Sequence, residues 1–260
     1  MYIRSGIAYI LLKYAQYANI LAVIIRLDIN INKMDNIQKI STTLSETIKV
    51  GEFQSVTSDI AEVLIDGALT DGILKDLPLI RLLVGLVKTS VNVKDKLFIK
   101  KLITFLTQLN EIPADKRKEL MDAIDNSQKY RTKVGEKLLY IIDKCYDNEK
   151  AEILGKLFNA YLAEKINYDD FLRAATCVEN VFIPDLLKFV DARWDDFNVE
   201  EDAESLLTAG LVNLRQIEPS IDEKTQEIEN SELKFKITKI GETIREILTT
   251  KPFRRLLSLF

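Results

Sequence analysis

The segment DNEKAEILGKLFNAYLA, residues 147–163, decides the fold of this chain. Asp147 stands at its start, where a carboxylate can accept hydrogen bonds from the free N–H groups of a first helical turn. The apolar residues that follow recur at intervals of three and four, the spacing that brings side chains to one face of an α-helix. They are Ile153, Leu154, Leu157, Phe158, Tyr161 and Leu162. The segment therefore predicts an amphipathic helix with one buried face.

The same spacing continues along most of the chain. In residues 97–109 the apolar side chains again share one face, and Lys100 and Lys101 lie off it. The sequence contains only 9 Gly and 5 Pro, so the segments between turns are long. The spacing predicts further helices at about residues 36–49, 52–69, 77–91, 114–127, 130–146, 168–180, 183–194 and 199–209. We therefore predict a mainly α protein with a multi-helix globular body.

The composition limits the chemistry that this protein can perform. The 260 residues include no histidine, which excludes histidine-based triads, imidazole zinc sites and Cys-His nucleophiles. There is no phosphate-binding loop, no Gly-x-Gly-x-x-Gly motif and no Cys-x-x-Cys motif. Cys145 and Cys177 lie in apolar helical patterns, which predicts two buried free thiols in a reducing compartment. We predict a non-enzymatic protein without catalytic residues, metal or cofactor.

Residues 1–33 differ from the rest because they carry almost no acidic residue. Between residues 5 and 25 the only charge is Lys13. About 20 apolar residues can cross a bilayer, so a membrane anchor is one interpretation, and a helix packed on the body is another. A third is a misassigned start, with Met34 as the first residue. The sequence leaves these open, and we expect a cytoplasmic protein whose membrane association depends on this segment.

The helical body is assigned to residues 34–180, and within it residues 77–87 are apolar around most of the helix circumference. This pattern predicts either a buried central helix or a membrane-inserting hairpin. The uncharged run is too short to cross a bilayer, and Arg81 lies in its middle. A buried central helix is therefore the favoured interpretation.

The region 206–248 carries a different pattern. Gly210 can adopt the left-handed backbone that ends a helix, and residues 233–237 alternate as in a two-faced strand. Thr238 can cap the helix that follows. The segment resembles the hairpin wing and closing helix of winged-helix domains of the MarR and PadR types. The matching positions are Leu206, Gly210, Leu211, Val212, Ile237, Thr238 and Gly241. The resemblance implies a small α+β winged-helix-like module within residues 181–260.

DNA binding, which a winged helix usually implies, conflicts with the charges of this module. Residues 195–232 hold 12 acidic residues and only two basic ones, Arg215 and Lys224. DNA binding depends on neutralising phosphates with Lys and Arg, so this surface would be repelled. We therefore expect a module used for protein contact. The predicted contact residues are Glu200, Glu201, Asp202 and Glu204 for a basic partner, and Phe253, Leu256 and Phe260 of a basic, apolar tail for an apolar groove.

Basic residues concentrate elsewhere, with eight bases against three acids in residues 88–118. An anion-binding site here would use Lys94, Lys96, Lys100 and Lys101, and the alternative is a solvated helix face. The sequence as a whole predicts a helical adaptor or accessory protein with an unidentified protein partner, and self-association is left open. Two alternatives are a membrane-associated effector of a bacterial defence or toxin-like system and a winged-helix DNA-binding regulator. Nucleic acid is not the expected partner.

Overall fold

The computed structural model describes residues 37–51, 78–79, 81–82, 93–109, 112–191, 199–216 and 233–249. These residues are mainly helical, as predicted. The elements, in chain order, are α1 (37–50), α2 (Val93–Leu106), α3 (Ala114–Asp125), α4 (Val134–Lys144), α5 (Asn148–Leu162), α6 (Tyr168–Asn180), α7 (Ile183–Asp191), α8 (Val199–Thr208), β1 (Val212–Gln216), β2 (Leu233–Ile237) and α9 (Lys239–Leu248). The predictions on residues 1–33, on 52–69 and on the tail lie outside the described residues.

Helix α5 is the helix predicted from residues 147–163, and it packs against α2 and α6. Asp147 accepts a hydrogen bond from the Lys150 N–H at 2.8 Å, which confirms the predicted cap. A Cβ atom on Gly155 would lie 2.6 Å from the Phe105 carbonyl oxygen. Glycine is therefore required where the backbones of α2 and α5 come closest.

Aromatic rings fill the space between α2, α5 and α6. The centroid of the Phe158 ring lies 5.7 Å from that of Phe105, 5.6 Å from Tyr161 and 5.1 Å from Phe171. The Tyr168 ring extends this cluster, with its centroid 5.4 Å from that of Tyr161. Ring pairs at these separations gain energy beyond the area that they bury. The cluster therefore fixes how the three helices pack.

The phenol group of Tyr168 is an exception in this cluster. It is buried and has no hydrogen-bond partner among the described residues, and burial raises its pKa. A buried polar group without a partner costs about 1–3 kcal/mol, so we expect Tyr168→Phe to raise the free energy of unfolding by about 1 kcal/mol. Urea denaturation of the variant measures this change.

Tyr161 supplies the matched control for that prediction. Its hydroxyl donates to the Leu120 carbonyl oxygen at 3.0 Å, and burial raises its pKa to about 12. Tyr161→Phe therefore lowers the free energy of unfolding by about 1 kcal/mol, because it removes the hydrogen bond to the Leu120 carbonyl oxygen. Equal losses in both variants would show that the Tyr168 hydroxyl does have a partner.

Two buried lysines cap the C-terminal ends of other helices. The Lys101 Nζ donates to the carbonyl oxygens of Asp143 (2.9 Å) and Cys145 (2.8 Å), at the end of α4. The Lys150 Nζ donates to the Glu179 carbonyl oxygen at 2.8 Å, near the end of α6. The last carbonyls of a helix lack intrahelical partners and carry partial negative charge. These ammonium groups therefore donate hydrogen bonds to helix-terminal carbonyls that lack an intrahelical donor.

Buried Arg117 plays the same part at the end of α1. Its Nε donates to the Ile48 carbonyl oxygen at 2.6 Å, and its two terminal nitrogens donate to the carbonyl oxygens of Gly51 and Ile112. Lys101, Arg117 and Lys150 are the buried charged side chains of the described part of the chain. Each thus ties the helix that carries it to the end of another segment.

The C-terminal hairpin confirms three local predictions. Strands β1 and β2 pair antiparallel, from Val212 opposite Ile237 to Gln216 opposite Leu233. Gly210 has a φ of 78°, the predicted left-handed value. The Thr238 hydroxyl accepts a hydrogen bond from the Gly241 N–H at 3.1 Å, so Thr238 caps α9. The assignment of this region to the winged-helix fold stays a prediction.

Part of the predicted central helix is also described. Residues 78–79 and 81–82 are helical, Leu79 is fully buried and Arg81 is exposed. The Leu79 N–H donates to Thr47 Oγ1 of α1 at 2.9 Å, so this part of the segment packs on α1. Among the described helices, none combines the length and apolar character that a membrane crossing needs.

Both cysteines are buried and free, which confirms the prediction for their side chains. Burial raises the pKa of the Cys145 thiol to about 11 and also raises the pKa of Cys177. Because the thiolate is the reactive form of cysteine, burial disfavours reaction at both thiols.

Candidate functional site

Phe182 is presented to solvent at the junction of α6 and α7. Its neighbours Val181 and Ile183 are both buried, whereas the Phe182 side chain is 63% exposed. Alternation of this kind in an extended stretch points the middle side chain away from the core. The Phe182 carbonyl accepts from the Leu186 N–H at 3.0 Å, which holds it against the first turn of α7. The backbone on both sides of this aromatic ring is therefore fixed.

The same residue is anchored to the acidic helix α8. The Phe182 N–H donates to the Ser205 hydroxyl at 3.2 Å. Glu204, next to Ser205, is exposed, and Glu201 and Asp202 belong to the preceding turn of α8. An exposed aromatic side chain thus lies beside a helix that carries carboxylates and no base.

A second exposed aromatic residue, Tyr146, lies at the same end of the molecule. Its side chain is 94% exposed and sits in the turn between α4 and α5. Glu179 of α6 bridges that turn, because its carboxylate pairs with Lys144 at 2.9 Å and its carbonyl accepts from Lys150. Phe182 follows Glu179 by three residues. The turn that carries Tyr146 and the junction that carries Phe182 are therefore adjacent.

Exposed carboxylates at this end of the molecule include Glu149, Glu179 and Glu204, and Lys144 pairs with the second of them. Burial raises the pKa of the Glu149 carboxyl, and the neighbouring carboxylates of Asp147 and Glu152 raise it further. We call the surface formed by Tyr146, Glu149, Glu179, Phe182 and Glu204 the aromatic–acidic surface. Exposed aromatic rings beside exposed carboxylates suit a basic segment that also carries apolar side chains.

Of the predicted contact residues, Glu204 belongs to the aromatic–acidic surface. Glu200, Glu201 and Asp202 lie in the first half of α8, and the structure describes their backbone but not their side chains. The tail residues fall beyond the part of the chain that is described: Phe253, Leu256 and Phe260. Their roles stay predictions.

The four lysines predicted for anion binding have different surroundings. Lys94 is exposed, Lys96 and Lys100 are half-buried, and Lys101 is buried with its ammonium group on two carbonyl oxygens. The structure therefore does not bring all four onto one exposed face. The predicted site stays open for the first three.

Sequence reasoning missed Phe182 and Tyr146. Phe182 stands between two apolar residues just before Pro184, so its composition is that of a core segment. Its exposure follows from the extended backbone at one junction, which the helical spacing does not predict. Tyr146 offers a clearer signal, since it precedes the capping Asp147 and therefore stands outside both neighbouring helices.

A polar groove of about 230 Å³ lies between α1 and the start of α4. A Cβ atom on Gly135 would lie 2.9 Å from Ser45 Cβ, so glycine permits the close approach of the two helices. Charges of both signs line the groove, including Glu46, Glu136 and Lys133. A groove with such mixed charges favours no particular charge on a ligand.

An ion-pair cluster borders this groove. Asp122 accepts from Lys118 at 2.8 Å and from Lys49 at 2.6 Å, and Lys49 also reaches Asp125 at 3.2 Å. Asp125 in turn accepts from the Val134 N–H at 2.8 Å and thereby caps α4. The cluster connects α1, α3 and α4.

The pKa of Asp122 gives this cluster a pH dependence. Hydrogen bonds from Lys118 and Lys49 lower the Asp122 pKa from 3.8 to about 2. A carboxyl whose pKa is lowered by folding stabilises the protein above its ordinary pKa, and this stabilisation is lost as the pH falls through about 2. Between pH 3.8 and about 2, we expect the free energy of unfolding to fall by about 0.5 kcal/mol less in Lys49→Met than in the native chain. The difference is small because Asp122 is partly exposed.

Urea denaturation across this acid range measures the effect. Lys144→Met, which removes an exposed partner of Glu179 instead, serves as the control. Parallel acid profiles for the native chain and Lys49→Met would contradict the prediction.

Among the described residues, no group of three or more Cys, Asp or Glu side chains is placed to hold a metal ion. The chain matches no known protein family, no curated protein and no solved structure.

Proposed function

We propose that this chain is a non-enzymatic helical adaptor or accessory protein that acts through protein–protein contacts. The observation that carries the proposal is Phe182, an exposed ring whose backbone Ser205 holds beside an acidic helix. Aromatic side chains at interfaces contribute a large share of the binding energy, especially when they are held rigidly. The aromatic–acidic surface is the proposed contact site.

The charge of this surface defines the partner that it suits. Its exposed carboxylates, among them Glu149 and Glu204, favour Lys and Arg on the partner, and the two rings favour apolar or guanidinium contacts. The partner is therefore a basic segment with apolar side chains. The winged-helix-like arrangement that we propose for residues 181–260 would present α8, and its acidic residues favour protein over nucleic acid.

Affinity capture after chemical cross-linking in cells tests this function. We expect Phe182→Ser to reduce recovery of a specific partner by about tenfold or more, and Glu204→Lys to reduce it most at low salt. Val50→Ser is the matched control, because Val50 is also exposed (59%) but lies at the end of α1. The proposal fails if no partner is recovered or if Phe182→Ser and Val50→Ser recover the same amount.

A further inference from the structure

The aromatic–acidic surface matches a segment of the chain itself. Residues 251–260, KPFRRLLSLF, combine three bases with apolar residues. The apolar positions include Phe253, Leu256 and Phe260, the tail residues predicted for an apolar groove. Arg254 and Arg255 stand between them. This is the composition that the surface requires of a partner.

The tail also starts within reach of this surface. Helix α9 packs against α5, α6 and α7, and the Arg245 guanidinium lies 5.8 Å from the centre of the Phe189 ring of α7. From Arg245 to Thr249 is about one helical turn, roughly 6 Å, and from Phe189 back to Phe182 along α7 is about 10 Å. Residues 250–260 can extend over about 36 Å. The length of chain after α9 is therefore sufficient.

We propose that residues 251–260 bind the aromatic–acidic surface of their own chain, with the apolar residues on Phe182 and Tyr146 and the arginines on the carboxylates. This inference rests on the contact surface of the proposed function. The bound tail would regulate the aromatic–acidic surface, because it competes with any external partner for that surface. Because the tail is tethered, its effective concentration at the surface is in the millimolar range. Even a weak contact can then be occupied.

Disulfide trapping in the purified full chain tests this contact. The variant pair is Phe182→Cys with Leu256→Cys, and the control pair is Val50→Cys with Leu256→Cys. The native thiols do not interfere, because Cys145 and Cys177 are buried and their pKa values are raised. Peptide mass mapping then identifies which thiols have paired.

We expect the 182–256 pair to close within one chain about tenfold faster than the control pair. Adding Arg254→Glu and Arg255→Glu should remove most of this difference, since two charge reversals replace attraction by repulsion. Equal closure rates, or a disulfide that joins two chains at a rate that rises with protein concentration, would overturn the proposal.

The two proposals fail separately in these experiments. Trapping uses the purified chain without any partner, and capture is repeated with the Arg254→Glu, Arg255→Glu chain, in which the tail no longer competes. Rapid closure of the 182–256 pair, together with failed capture by both the native chain and this variant, removes the adaptor function and keeps the tail contact. Capture that depends on Phe182, together with slow closure, removes the tail contact and keeps the adaptor function.

Discussion

Replacement of Arg117 by methionine should lower the free energy of unfolding by about 3–5 kcal/mol, because three carbonyl oxygens lose a buried donor. The guanidinium of Arg117 is buried and donates to the carbonyl oxygens of Ile48, Gly51 and Ile112. Methionine keeps most of the apolar stem but leaves these carbonyls without their donors. Burial lowers the pKa of Arg117, and its hydrogen bonds offset the cost of burying the charge.

Lys118→Met provides the control for Arg117→Met. Lys118 is the next residue of α3, but its side chain is exposed and forms one ion pair with Asp122. Loss of such a pair costs less than about 1 kcal/mol. Both variants are measured by urea denaturation, and similar small losses would show that Arg117 does not secure the end of α1.

Reversal of charge at Lys101 should have an effect of similar size. In Lys101→Glu a carboxylate would face the Asp143 and Cys145 carbonyl oxygens at the C-terminal end of α4, where the helix dipole is negative. An uncompensated buried charge costs about 3–5 kcal/mol, so we expect the free energy of unfolding to fall by this amount. The midpoints of thermal and urea unfolding should fall with it.

Lys94→Glu is the matched reversal, because Lys94 belongs to the same helix and is exposed. Its effect on stability should stay below about 0.5 kcal/mol. In a test of anion binding, a loss of binding in Lys101→Glu would reflect unfolding of the protein and would not identify Lys101 as a ligand-binding residue. A stable Lys101→Glu variant would contradict the internal capping role.

The sequence predicted the elements whose signals are local. The helices at 168–180 and 199–209 follow from apolar spacing, and they agree with the structure within about one residue. Asp147, Gly210 and Thr238 could be assigned because caps and left-handed turns depend on a few neighbouring residues.

The boundary of α4 shows where local signals end. The spacing predicted a helix over 130–146, whereas α4 spans Val134–Lys144. Tyr130 donates instead to Asp169 at 2.8 Å, and the Val134 N–H is capped by Asp125. Both contacts depend on the packing of other elements, so the spacing within α4 could not reveal them.

The candidate site was less predictable than the fold for the same reason. Lys101 looks like any lysine on a polar helix face, and its burial depends on a helix end more than 40 residues away. Phe182 looks like a core residue until the backbone of its junction is known. The acidic character of α8 was readable from the sequence, but the aromatic partners of that charge were not.

Photo-cross-linking from position 182 tests the central claim most directly. A benzophenone amino acid in place of Phe182 keeps an aromatic side chain at the contact, and light joins it to whatever lies against it. We expect cross-links in cells to a basic, apolar segment, of the tail or of a partner protein, and few from the same group placed at Val50. Equal or absent cross-linking from both positions would contradict the claim that the aromatic–acidic surface is a binding site.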